Sequence, residues 1–129
     1  MKVFLGGTCN GSKWRKKIIP RLKIDYYDPV VLDWDEKAQM KEIDEKNKSD
    51  YLLFVITPLM TGVYSIAEVV DASNKKPKKT ILCILNSDDG KIWTKSQRDS
   101  LLAVENLVQN NGALIFHNLT DTISFLNQV

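Results

Sequence analysis

Glu68 is the residue from which chemistry reads most directly. It closes the segment Ser65-Ile66-Ala67-Glu68, at the start of a helix whose N-terminus stabilises an ionised carboxylate. The same four residues fit S-x-x-E, a capping box in which the Glu folds back onto its own helix. A Glu held that way cannot attack a substrate, so the two roles compete. Asp33 and Asp35 flank Trp34. A Trp in a loop covers either apolar surface or a planar ligand, and one of its flanking Asp residues reads as the cap of the next helix. Glu42, Asp44 and Glu45 read as a solvated helix face. The run Gly6-Gly7-Thr8-Cys9-Asn10-Gly11-Ser12 can bring backbone N–H groups close to a polar ligand, with a helix N-terminus behind it to favour an anion. It is neither GxGxxG nor a P-loop, and a plain tight turn explains it equally well. Trp14-Arg15 would set a cation near a phosphate or carboxylate, with Trp14 itself reading as core.

Other reactive residues carry less. Cys9 and Cys83 have no partner at metal or redox spacing, and the single His117 lies far from both. Cys83 sits inside Ile81-Leu82-Cys83-Ile84-Leu85 and reads as core filler. No zinc site or other metal site is expected. Lys75, Lys76, Lys78 and Lys79 gather at the end of a helix, where they complement its C-terminus as a solvated turn.

The elements that must position these residues alternate. Val3-Phe4-Leu5, Asp25 to Val31, Tyr51 to Ile56, Thr80 to Leu85 and Ala113 to Phe116 read as strands, with Pro29 suggesting an edge for the second. Helices are expected over Ser12 to Leu22, capped by Ser12 and ended or bent by Pro20, and over Glu36 to Lys48, Ser65 to Ser73, Thr94 to Asn110 and Leu119 to Leu126. Thr94 with Gln97 makes a capping box, and Asn111-Gly112 a stop. The helix over Glu36 to Lys48 has only Ala38, Met40 and Ile43 as apolar support. Asn86 to Lys91 reads as a polar loop. Alternation with continuous apolar strands predicts a doubly wound α/β fold: a flavodoxin-like, Rossmann-type three-layer sandwich with a five-stranded parallel sheet in the order 2-1-3-4-5. In such sheets the ligand crevice lies beyond the carboxyl ends of the strands, near the switch between the first and third. That rule selects the loops after strands one, two and three.

The 129 residues suit one domain spanning 1–129. An apolar fraction of 43% excludes disorder as the main state. No stretch approaches the ~20 apolar residues of a membrane span. The opening Met1-Lys2-Val3-Phe4-Leu5 reaches Gly6-Gly7 at once, too short for a signal peptide, which sets the expectation of a cytoplasmic protein with reduced thiols. A net charge of +2 gives little support to nucleic-acid binding.

Several segments, taken in order, resemble the nucleoside 2-deoxyribosyltransferase-like family. They are Lys2-Val3-Phe4-Leu5-Gly6-Gly7-Thr8, Trp14-Arg15, Asp28-Pro29-Val30-Val31, Asp33-Trp34, Ser49-Asp50-Tyr51, Val55-Ile56-Thr57-Pro58 and Gly62-Val63-Tyr64-Ser65-Ile66-Ala67-Glu68. The likeness spans about residues 2 to 85. It implies a flavodoxin-like fold and chemistry at the N-glycosidic bond of a nucleoside or nucleotide, with no cofactor. In the family a helix-borne Glu attacks C1′, and Glu68 stands at that position. This is the retaining two-carboxylate scheme, with a proton donor about 5 Å from the nucleophile. Asp33 or Glu42 would protonate or orient the base. Tyr64 would hydrogen-bond Glu68 or a sugar hydroxyl, Gly6, Gly7 and Thr8 would line the sugar side, Trp34 would stack on the base, and Arg15 would face a phosphate. One departure stands out. The transferases carry an Asp six residues before the nucleophile, and here that position is Gly62. The departure leaves open a hydrolase, or a nucleotide-binding or sensing module of the same fold without turnover. The resemblance also implies a homo-oligomer whose copies complete each other's pockets, acting on small molecules rather than on nucleic acid or membranes.

Overall fold

The computed structural model describes residues 1–9, 11–30 and 35–129. In chain order these form β1 (Lys2–Gly7), α1 (Trp14–Ile18), β2 (Asp25–Tyr27), α2 (Glu36–Lys48), β3 (Tyr51–Ile56), α3 (Tyr64–Lys75), β4 (Thr80–Ile84), β5 (Ser87–Asp88), β6 (Lys91–Ile92), α4 (Lys95–Asn110), β7 (Leu114–Phe116) and α5 (Leu119–Asn127). The main sheet has five parallel strands in the order β2-β1-β3-β4-β7. This is the expected flavodoxin-like order. The fifth sheet strand is numbered β7 because a small antiparallel hairpin, β5-β6, intervenes.

The sheet is buried on both faces because its central strands are apolar at both parities. Phe4, Leu52, Phe54, Ile56, Leu82 and Ile84 point to one core, shared with Val69 and Ala72 of α3 and Leu101 and Val108 of α4. Val3, Leu5, Leu53, Val55, Ile81 and Cys83 point to the other, shared with Trp14 and Ile18 of α1 and Ile123 and Leu126 of α5. α2 contributes no buried residue to either core. Met40 and Ile43, read as its apolar support, are 65% and 55% exposed. Its inner face is instead Glu42, Glu45 and Lys46, and charge holds it. Lys2 Nζ donates to Glu45 Oε2, and Lys46 Nζ to Glu68 Oε2, each at 2.5 Å.

Several boundaries differ from expectation. The first helix begins at Trp14 with Lys13 at its cap position, and no side chain caps it. Ser12 Oγ instead donates to Asp88 Oδ2, 2.5 Å away. Pro20 ends the helix as expected, inside a 3-10 turn over Ile19–Arg21. The second strand stops at Tyr27, because Asp28 turns to accept from Val30 N–H and to pair with Arg15. The expected polar loop over 86–91 is a hairpin. Asp89 and Gly90 both have positive φ, the pattern of a type I′ turn, for which Asp-Gly is a favoured pair. The capping box at Thr94 and Gln97 forms as read. Among the described residues no helix is long and apolar enough to cross a membrane.

β1 and β3 meet so closely that only one residue type fits at the end of β1. Gly7 has φ +115°, and a Cβ there would lie 2.1 Å from the Val55 carbonyl oxygen. Gly7→Ala is expected to cost about 2–5 kcal/mol, combining backbone strain with an overpacked contact. Urea unfolding of the variant against the parent measures it, and a loss below about 1 kcal/mol contradicts this close approach.

Candidate active site

Beyond the carboxyl ends of β1 and β3 lies a cleft of about 440 Å³, at the place where the strand order reverses. Its floor is Gly6, Gly7 and Thr8 at the end of β1. The loop after β3 and the first turns of α3 bring Gly62, Tyr64 and Glu68 to one wall, and α2 brings Glu42 to it as well. Cys9, Pro29, Val30, Met60 and Ser65 also line it.

The floor is built by α1. Because β2 ends level with Phe4, the Leu5 and Gly7 carbonyls have no strand partner on the β2 side. The Arg15 guanidinium takes that place. It donates to Leu5 O at 3.0 and 3.2 Å, to Thr8 O at 2.7 Å and to Gly7 O at 3.4 Å. Trp14 Nε1 also donates to Thr8 O, and Thr8 Oγ1 accepts from Thr57 N–H, which ties the first loop to the third. Arg15 is 6% exposed and pairs with Asp28 at 3.3 Å. Burial lowers its pKa from the usual range, while Asp28 opposes the shift. Arg15 therefore borders the cleft with its donors turned to backbone oxygens and to Asp28.

Glu68 is not a cap. α3 begins a residue earlier than read, at Tyr64, with Val63 at the cap position and no side-chain cap. That start moves Glu68 past the N3 position which a capping box requires. Its carboxylate instead lies between two hollows: the cleft, and a second one of about 370 Å³ lined by Lys46, Asn47, Lys75 and Lys76. Lys75 and Lys76, read as part of a remote solvated turn, thus border the far side of Glu68. Tyr64 is 74% exposed and touches both hollows.

Glu42 is half-buried rather than part of a solvated face. Burial raises its carboxyl pKa above the usual range, Lys46 opposes this, and the nearby Glu68 charge adds to it. Asp35 caps α2, accepting from Ala38 N–H at 2.8 Å, which settles which Asp beside Trp34 has that role. Asp33 and Trp34 lie outside the described residues. Among the described residues nothing lies within 4 Å of a Cβ built on Gly62, so that position has room for a side chain. Cys83 is core filler as read, its thiol pushed up to about 11 by burial.

Sequence reasoning missed Lys46. The available signal was the i, i+4 spacing of Glu42 and Lys46, which sets both on one face of α2. A larger hollow of about 760 Å³ lies between α3 and α4, walled by apolar residues such as Ile66, Val70, Trp93 and Leu101. It holds none of the expected site residues.

A cleft at the switch point of a parallel α/β sheet is where folds of this class hold their ligands. The sequence profile described as "Nucleoside 2-deoxyribosyltransferase like" matches residues 1–87, and the chain belongs to that family. The match contains every residue lining the cleft. No curated protein and no solved structure gives a significant match.

The raised pKa of Glu42 carries a stability consequence. A carboxyl that holds its proton more tightly in the fold than in the unfolded chain adds stability below the ordinary carboxylate range. That contribution is lost as pH rises through the folded pKa. Glu42→Gln keeps the neutral shape at every pH. The variant should melt with the parent near about pH 4 and above it at pH 7. A melting difference that does not grow with pH contradicts the burial of this carboxyl.

Proposed function

We propose that the protein cleaves or transfers the N-glycosidic bond of a deoxynucleoside or related nucleotide, with Glu68 as nucleophile and Glu42 as proton donor. One observation carries this reading. Two carboxyl groups border one cleft at the switch point in different surroundings: Glu68 is ion-paired to Lys46, and burial raises the pKa of Glu42.

The reaction divides into two displacements. A Glu68 oxygen attacks C1′ and forms an ester bond as the C1′–N bond breaks. The bonding pair goes to the base nitrogen, and Glu42 gives its proton to the departing base. In the second step the nitrogen of another base, or water, attacks C1′, and the Glu68 carboxylate leaves. Glu42 recovers a proton from the attacking group. The flat floor of Gly6, Gly7 and Thr8 admits the sugar against backbone, and Tyr64 reaches the sugar hydroxyls or Glu68.

Among the described residues lining the cleft, Val30 and Tyr64 are 53% and 74% exposed. A homo-oligomer that covers this rim fits the reading, and light scattering on the purified protein tests it.

The decisive experiment incubates the protein with deoxyribonucleosides and their monophosphates, with and without a second free base, read by chromatography. New nucleoside means transfer, and free base in water alone means hydrolysis. Glu68→Gln should lower kcat at least a thousandfold, on the scale of removing a catalytic nucleophile, with the fold intact by circular dichroism. Full turnover in that variant removes Glu68 from the mechanism.

Gly62 favours a second reading, binding without turnover, because the loop carboxylate of the transferases is missing there. Saturable nucleoside binding with no base released over hours would support it. Gly62→Asp separates the two readings, since the site has room for the side chain. On the enzyme reading the variant transfers faster than the parent; on the binding reading it is equally silent.

A further inference from the structure

The reading of Glu68 and Glu42 as nucleophile and acid leaves unexplained the cation behind them. We propose that Lys46 is a positioning residue, the counter-ion that Glu68 and Glu42 share in turn through the two halves of the reaction.

Lys46 Nζ donates to Glu68 Oε2 at 2.5 Å across the gap between α2 and α3. Its side chain is 25% exposed and that of Glu68 12% exposed, so the pair is only partly screened by water. Glu42 lies one turn earlier on α2, on the same face. Lys46 Nζ also sits 5.4 Å from the centre of the Phe4 ring of β1, a cation–π contact that helps hold the ammonium in place. It lines the hollow behind Glu68 and not the cleft, so it acts through the carboxylates and not on the substrate.

Charge balance gives the role. The proposed mechanism starts with Glu68 as the carboxylate nucleophile and Glu42 as the proton donor, so one negative charge faces Lys46. After the first displacement Glu68 is a neutral ester, and Glu42 has given its proton to the base. One negative charge again faces Lys46, now on Glu42. After the second displacement the charge returns to Glu68. The cation therefore has one negative charge within its electrostatic reach in every state, on Glu68 by direct contact or on Glu42 one helical turn away. A carboxylate has two oxygens, so the contact through Oε2 leaves the other to reach C1′.

This inference rests on the proposed function, and the experiment separates their failures. Lys46→Gln, Lys46→Met, Lys46→Arg and the control Lys2→Met are assayed with the best substrate of the panel, in steady state and in a single turnover. Lys2→Met cuts the other tie of α2, the Lys2–Glu45 pair, and lies outside the cleft. Lys46→Met and Lys46→Gln should lower kcat, and the single-turnover rate of base release, by about tenfold or more with little change in KM. Lys46→Arg should restore most of the rate, because it keeps the charge. Lys2→Met should stay close to the parent. If Lys46→Gln is as fast as the parent, or Lys2→Met is as slow as Lys46→Met, Lys46 serves only to fasten the helix and the inference is overturned. If the parent turns over and Glu68→Gln does too, the nucleophile assignment fails, and this inference falls with it. A parent without turnover overturns both. Should Lys46→Met fail to fold, Lys46→Gln and Lys46→Arg decide the matter alone.

Discussion

Where β2 ends, β1 runs on for three more residues without a neighbour on that side. Its carbonyls there are buried, and a buried carbonyl left unbonded costs roughly 1–3 kcal/mol. The Arg15 fork and the Trp14 indole answer that need together. Much else depends on this arrangement. It holds the backbone of Gly7 and Thr8 in one path, brings Thr8 Oγ1 to Thr57, and so fixes the loop after β3 from which α3 starts. The position of Glu68 descends from it. A shortened edge strand is thus what opens space for a ligand, and a buried arginine is what makes the shortening tolerable.

The frame was legible because burial on two faces writes itself into sequence. YLLFVI has no polar residue, so it could only be a central strand, and β3 occupies those six residues. The same logic found β4. Where the structure departed from expectation, the missing information was three-dimensional. Ser12 and Asp88 lie far apart in the chain, and nothing local told that the hydroxyl would serve the hairpin rather than the helix. The Asp89-Gly90 turn was a local signal, but a pair of two-residue strands offers no periodicity to detect.

The candidate site was legible in part. Glu68 and the glycine floor followed from loop position at the strand ends. S-x-x-E admitted two interpretations, and a shift of two residues in the cap position of α3, from Ser65 to Val63, decided between them. Glu42 was harder to place, since a charged helix with little apolar support reads as a solvated surface. Its inner face is charged too, and only the structure shows what that face meets. Lys46 was hidden for the same reason.

That inner face has one more consequence. α2 buries no side chain in either core and is fastened to the sheet and to α3 through Lys2–Glu45 and Lys46–Glu68. Apolar contacts are indifferent or favourable to added salt, whereas partly exposed ion pairs weaken as the Debye length shrinks from about 10 Å at 0.1 M to about 3 Å at 1 M. The sheet and its two cores therefore hold their shape across that range, while the seat of α2 loosens. Glu42 rides on α2 and Glu68 on α3, so Lys46–Glu68, the pair that joins the two helices, is the contact through which added salt reaches the site.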